Sequence, residues 1–122
     1  MREILFRGKQ EDNGKWLEGN LIVWKDGSCS IEPGSLNVAM ACVIPETVGQ
    51  FTGLTKNGKK IFEGDVVRCV RTHCDGKEVV GHIIFRDCCF CVKKGIDSPA
   101  MDLCDDFEVI GNIHDNPELM EE

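Results

Sequence analysis

The amino-acid sequence predicts an all-β protein with minor α content, built from short antiparallel hairpins. Three observations carry that prediction. An Asn-Gly or Asp-Gly pair between apolar runs is the strongest short-range hairpin signal, and it occurs at Asn13-Gly14, Asp26-Gly27, Asn57-Gly58 and Asp75-Gly76. The runs beside these pairs are rich in β-branched residues, which suit a pleated surface. Thirteen glycines in 122 residues imply many turns, and so many turns favour short strands over long helices.

The elements follow in order. Ile4 to Arg7 leads through Asn13-Gly14 into Trp16 to Trp24, and Asp26-Gly27 joins that strand to Ser28 through Glu32. Asn57-Gly58 links Gln50–Thr55 with Lys60–Phe62, and Asp75-Gly76 links Val66–Arg71 with Glu78–Phe85. Phe107 to Ile113 shows a period of two, with Phe107, Val109, Gly111 and Ile113 expected on one side. Helical signals are weak. Pro45–Gly49 suits one turn with proline near its start, and Asn116–Met120 suits another with Asn116 as its cap. Connections this short leave no room for βαβ crossovers, so the sheet is expected to be antiparallel. Residues 1–60 read as an irregular β unit with a loop near Pro33 to Ala39. Residues 61–122 read as a hairpin-rich block sized for a small SH3-like barrel, although strand count does not separate a barrel from an open sheet.

No apolar run approaches the roughly 20 residues that a membrane-spanning helix needs. Charges interrupt the apolar residues of Met1–Arg7, so no signal-peptide core is expected and the protein is placed in the cytoplasm. In that reducing compartment the eight cysteines are expected as thiols, with Cys42, Cys69 and Cys91 packed among apolar neighbours. The net charge of −7 disfavours a polyanionic partner unless basic residues cluster, and Lys93-Lys94 with Arg86 is a thin cluster. Trp16 and Trp24, eight residues apart, would share a face of one straight strand, either as a core wall or as a binding platform.

Five segments in order are more specific than composition. They are Ile4–Lys9, Trp16–Gly19, Val43–Leu54, Lys56–Val67 (Lys56-Asn57-Gly58-Lys59-Lys60-Ile61-Phe62-Glu63-Gly64-Asp65-Val66-Val67) and Phe107–Leu119. Together they resemble the YopX family of small phage and prophage proteins. The resemblance spans Ile4 to Leu119 and implies an irregular N-terminal part followed by an SH3-like barrel. It also implies a phage or prophage gene in a bacterial host, and it implies no reaction. The runs Cys88-Cys89-Phe90-Cys91 and Cys69–Cys74 depart from the family pattern.

For chemistry, the sharpest alternative is structural zinc held by Cys and His of the second half, namely Cys69, His73, Cys74, His82, Cys88, Cys89, Cys91 and Cys104. Cys69-x4-Cys74 is wider than a Cys-x-x-Cys knuckle and Cys89-x-Cys91 is tighter, so packing and surface thiols are favoured and no metal or cofactor is expected. Cys89 and Cys91 would share one face of a strand. His73 beside Cys74 is sequence adjacency only and makes a poor nucleophile–base pair. Asp65 in Glu63-Gly64-Asp65 suits a turn that bonds its own backbone better than a catalytic carboxylate without a partner. No P-loop, dinucleotide-binding, metalloprotease or nucleophile-elbow motif is present. The expectation is a non-enzymatic interaction module that pairs with itself as a homo-oligomer or with another protein. The alternative is a nucleic-acid-associated small barrel.

Overall fold

A computed structural model describes residues 2–70, 78–94 and 107–120. The strands are β1 Phe6–Lys9, β2 Trp16–Val23, β3 Cys29–Glu32, β4 Ala41–Val43, β5 Gly49–Lys56, β6 Lys59–Phe62, β7 Asp65–Val70, β8 Glu78–Arg86, β9 Cys89–Lys93 and β10 Phe107–Asn112. Two 3-10 turns, Pro45–Thr47 and Pro117–Met120, stand where the sequence suggested helical turns. The protein is all-β, and its paired strands run antiparallel. It divides into two compact units, Met1–Leu54 and Thr55–Glu122, so the boundary falls inside β5.

In the N-terminal unit the strand order is β4-β3-β2-β1-β5, and β5 then turns at Asn57-Gly58 into its neighbour β6. The β1–β2 and β2–β3 hairpins follow the two predicted turns, with Lys9 opposite Trp16 and Val23 opposite Cys29. The Asp26 carboxylate fixes the second turn by accepting the Ser28 N–H at 2.9 Å and its hydroxyl at 2.6 Å. Those bonds hold the Asp26 pKa below its ordinary value. Nothing in the sequence marked β4, whose three residues are too few to show a period. Its register sets Cys42 opposite Ser30 and leaves that thiol exposed, correcting the expectation of a packed Cys42. A bridge from Gln10 to Val43, with Ile44 N–H donating to the Lys9 carbonyl at 2.8 Å, curls β1 toward β4. The curl wraps the strands around Cys29, Ile31 and Val43, with Phe6, Leu17, Leu21 and Val48 against them.

Neither tryptophan forms a core wall. The Trp16 ring carries Arg7 at 4.8 Å and Lys9 at 5.6 Å from its centroid. Trp24 lies beyond β2, about half exposed, and its indole N–H donates to Ser30 Oγ at 3.1 Å. β2 ends before Trp24, so the two rings never share one strand.

The C-terminal unit is a four-stranded sheet in the order β10-β7-β8-β9. Among the described residues β9 and β10 do not pair, so the sheet is open and the expected barrel is not closed. The strand β6 lies beside β5 in the other sheet. Val67, Cys69, Ile83 and Val92 form one buried face with Ile61 of β6, flanked by Phe90 and Phe107. On the opposite face Arg68 pairs with both Glu78 and Glu108, a half-exposed trio that adds little stability in water.

The β8–β9 hairpin was hidden in the sequence. Its two-residue turn is Asp87-Cys88, with φ of 52° and 67°, the pattern usually met by Asn-Gly or Asp-Gly. Cys88 holds a left-handed conformation without a side-chain hydrogen bond that would favour it. Replacing Cys88 by glycine is expected to stabilise the protein by about 0.5–1 kcal/mol, the relieved strain less glycine's entropy cost. A shift of the urea midpoint to higher concentration checks this, and an unchanged or lower midpoint contradicts it.

Candidate functional site

The site is built on the face of β8 that points away from the C-terminal core. Val66 lies opposite His82, and His82 lies opposite Lys93, while Ile84 lies opposite Cys91. Side chains alternate along a strand, so His82, Ile84, Cys91 and Lys93 share this face and Ile83 and Val92 share the core face.

A bulge supplies the second wall. In β10, Val109 lies opposite Val67 but Gly111 lies opposite Val66, so the alternation reverses between them. The sequence placed Phe107, Val109, Gly111 and Ile113 on one side. The extra residue sends Gly111 and Ile113 to the other face, as bulges do when they re-aim a side chain.

The chain then turns tightly. Asn112 Oδ1 accepts the N–H groups of His114 at 3.0 Å and Asp115 at 2.9 Å. The Asn116 N–H donates to the Asn112 carbonyl at 2.8 Å, and Asn116 Oδ1 accepts the Asn112 N–H at 3.3 Å. This box aims Pro117–Met120 back over β8. A second anchor lies in the β6–β7 turn, where buried Asp65 accepts the Phe62 N–H at 2.8 Å. There the Gly64 N–H donates to Ile83 and the Gly64 carbonyl accepts from Ile113, both at 2.9 Å. Asp65 thus holds a turn, as its local sequence suggested.

Between these walls lies a groove of about 680 Å³, within the range of ligand-binding clefts. His82, Ile84, Lys93, Lys94, Ile113, Pro117 and Met120 line it. His82 Nδ1 is buried without a hydrogen-bond partner. Burial pushes the His82 pKa below its ordinary value of 6.5; the Lys93 backbone opposes that shift and the Lys93 charge adds to it.

A histidine held neutral in the fold but free to charge when unfolded makes the unfolded state the stronger proton binder at acid pH. Stability from this group is therefore complete above pH 6.5 and falls as the pH drops from there toward the lower folded value. The melting temperature of wild type is expected to fall more steeply than that of His82→Gln between neutral and mildly acid pH. Parallel curves would show that His82 does not contribute.

The other predicted site residues do not gather. Cys69 pairs with Val79 and faces the core, whereas Cys91 pairs with Ile84 and faces the groove side, so the sheet separates them. Cys91 is buried, while Cys88 and Cys89 are exposed free thiols at the hairpin tip. His73, Cys74 and Cys104 lie outside the described residues, as does Asp75-Gly76. Among the described residues no three Cys, His, Asp or Glu side chains are placed to hold a metal. The sequence marked His82 only as a metal candidate and Lys93-Lys94 only as a thin cluster. It gave Ile84, Ile113, Pro117 and Met120 no joint role, because three distant segments supply them.

A family model described as YopX protein matches residues 5–121. The chain belongs to the YopX family. Two crystal structures resemble this YopX chain. One is protein yopX from Bacillus subtilis, with 20% identity and a TM-score of 0.60, covering 100% of this chain and 98% of that one. The other is protein EF1440 from Enterococcus faecalis, with 25% identity and a TM-score of 0.59, covering 99% of this chain and 100% of that one. No curated protein matches this YopX chain. The resemblance carried by the five segments between Ile4 and Leu119 is therefore a family relationship across nearly the whole length, and the two structures share its fold.

Proposed function

We propose that this YopX-family chain is a phage- or prophage-encoded, non-catalytic interaction module acting in the bacterial cytoplasm, which binds itself or another protein. The groove of the C-terminal unit carries this reading. Apolar side chains from β8 and the Pro117–Met120 turn form a concavity of about 680 Å³. Concave apolar surface with a few polar groups is what binding sites present. The phage context rests on the family alone.

The test is association with and without the groove. Size-exclusion with light scattering, and co-purification from lysogenic cells, are run on wild type and on Ile84→Glu. The expected result is a wild-type assembly, with itself or with a co-purifying protein, that Ile84→Glu loses while keeping a native circular-dichroism spectrum. Association that is absent in wild type, or unchanged by Ile84→Glu, sinks the reading.

One observation favours a second reading, nucleic-acid association. Arg7 and Lys9 stack on Trp16, joining aromatic and basic groups that the sequence alone did not show together. The charge of −7 opposes it. Binding of single-stranded oligonucleotide with steep salt dependence, lost in Trp16→Ala, would put this reading first.

A further inference from the structure

We propose that the groove of the C-terminal unit takes an extended acidic peptide segment of another protein, its apolar side chain on Ile84, Ile113, Pro117 and Met120 and its carboxylate on Lys93. The proposal rests on the interaction reading and names the chemistry of the partner.

Charge is the first argument. The chain carries −7 overall, yet the described lining of the groove holds two lysines, one histidine and no carboxylate. The local sign is opposite to that of the molecule, and such a site selects an acidic partner while the rest of the surface repels it.

Bonding in the groove is also incomplete. Lys93 and His82 are cross-strand neighbours. Among the described residues no ion pair falls on Lys93, whereas Arg68 and Arg86 both have carboxylate partners. His82 Nδ1 is buried and unpartnered beside it. Buried polar atoms are normally bonded, so this edge of the groove is short of partners, and an acidic peptide brings a carboxylate for the Lys93 ammonium.

Other occupants fit the groove less well. The described lining holds no Phe, Tyr or Trp ring on which a base could stack, so a nucleic acid would find little there besides the lysines and His82. A second copy docked with its groove on the two-fold axis would bring four lysines together, which like-charge repulsion opposes.

The experiment is an NMR titration of isotope-labelled full-length protein with acetylated pentapeptides alternating glutamate and leucine. A glutamine–leucine peptide and a glutamate–serine peptide serve as controls. Saturable shifts are expected at His82, Ile84, Lys93, Ile113 and Met120 with the glutamate–leucine peptide alone. Affinity should fall about tenfold or more in Lys93→Glu and less in Lys93→Gln, in keeping with a lost charge contact. No saturable shift at millimolar peptide, shifts outside the groove, or equal binding of the glutamine–leucine peptide overturns the proposal. So does tighter binding of an oligothymidylate at the same residues, or a wild-type dimer that Lys93→Glu dissociates. If the peptide fails but Ile84→Glu still abolishes a protein association, the acidic chemistry is wrong and the interaction reading stands. If both fail, both are wrong.

Discussion

Gly19→Ala is expected to cost at least about 3 kcal/mol, the upper end for overpacking, and to leave the N-terminal unit largely unfolded at moderate temperature. A Cβ at this position would lie 2.2 Å from the Glu32 carbonyl oxygen and 2.7 Å from both the Glu32 carbonyl carbon and Pro33 Cα. All three atoms are backbone, so no rotamer change relieves the clash. The backbone there is also held. Asn20 pairs with Glu32 across β2 and β3, the Pro33 ring fixes its own φ, and Glu32 Oε1 accepts the Gly34 N–H at 2.8 Å. The relief left is to lift β3 away from β2, which opens the cluster around fully buried Ile31 and Val43. Gly14→Ala is the control. Its Cβ would meet nothing within 4 Å, and only the left-handed backbone at φ +68° resists it, a cost of about 1–2 kcal/mol. Urea unfolding of the two variants should separate them clearly. Equal losses would mean that the backbone yields at Pro33 and that the clash argument fails.

The same glycine shows what the sequence made legible. Trp16–Gly19 stood out as one of five family-like segments, but nothing local said why a glycine should end it. The reason is Pro33, fourteen positions away. Signals that live inside one hairpin were readable: Asn13-Gly14, Asp26-Gly27 and Asn57-Gly58 each sit between neighbouring strands of one sheet. A turn with positive φ at both residues, like Asn57-Gly58, was missed at Asp87-Cys88, since the left-handed backbone there is held by tertiary context against the preference of cysteine. The site was less legible still. Ile113 reaches the groove only because an extra residue in β10 reverses the alternation, and a bulge leaves no mark on a period-two pattern until the partner strand is known. Lys93 and His82 are eleven positions apart and become neighbours through the register of β8 and β9. Fold class follows from short-range chemistry, whereas this site is assembled from long-range register.

Gly111→Ala is expected to cost less stability, about 1–2 kcal/mol, and to remove the groove. The added Cβ would lie 2.6 Å from Asn116 Oδ1 and 2.8 Å from Leu119 Cδ1. These are side-chain atoms, so the conflict can be resolved by movement, and the element that moves is the Pro117–Met120 turn. Asn116 Oδ1 accepts the Asn112 N–H, and the Leu119 N–H donates to the Asn116 carbonyl at 3.1 Å, so pushing Asn116 aside unseats the turn it anchors. Pro117 and Met120 then leave the wall facing His82 and Ile84. The affinity of the glutamate–leucine peptide should drop more than that of any variant with the same loss of stability elsewhere, such as Cys29→Ala in the N-terminal unit. A double-mutant cycle gives the sharper check. Asn116→Ala alone loses the bond to the Asn112 N–H, about 1 kcal/mol, but it also clears the space the new methyl needs. The two substitutions together should therefore cost clearly less than the sum of the two alone, the coupling expected of residues in contact. Strict additivity would show that the methyl fits without disturbing Asn116. In that case the glycine of Ile110-Gly111-Asn112 serves the bulge alone and has no part in holding the groove.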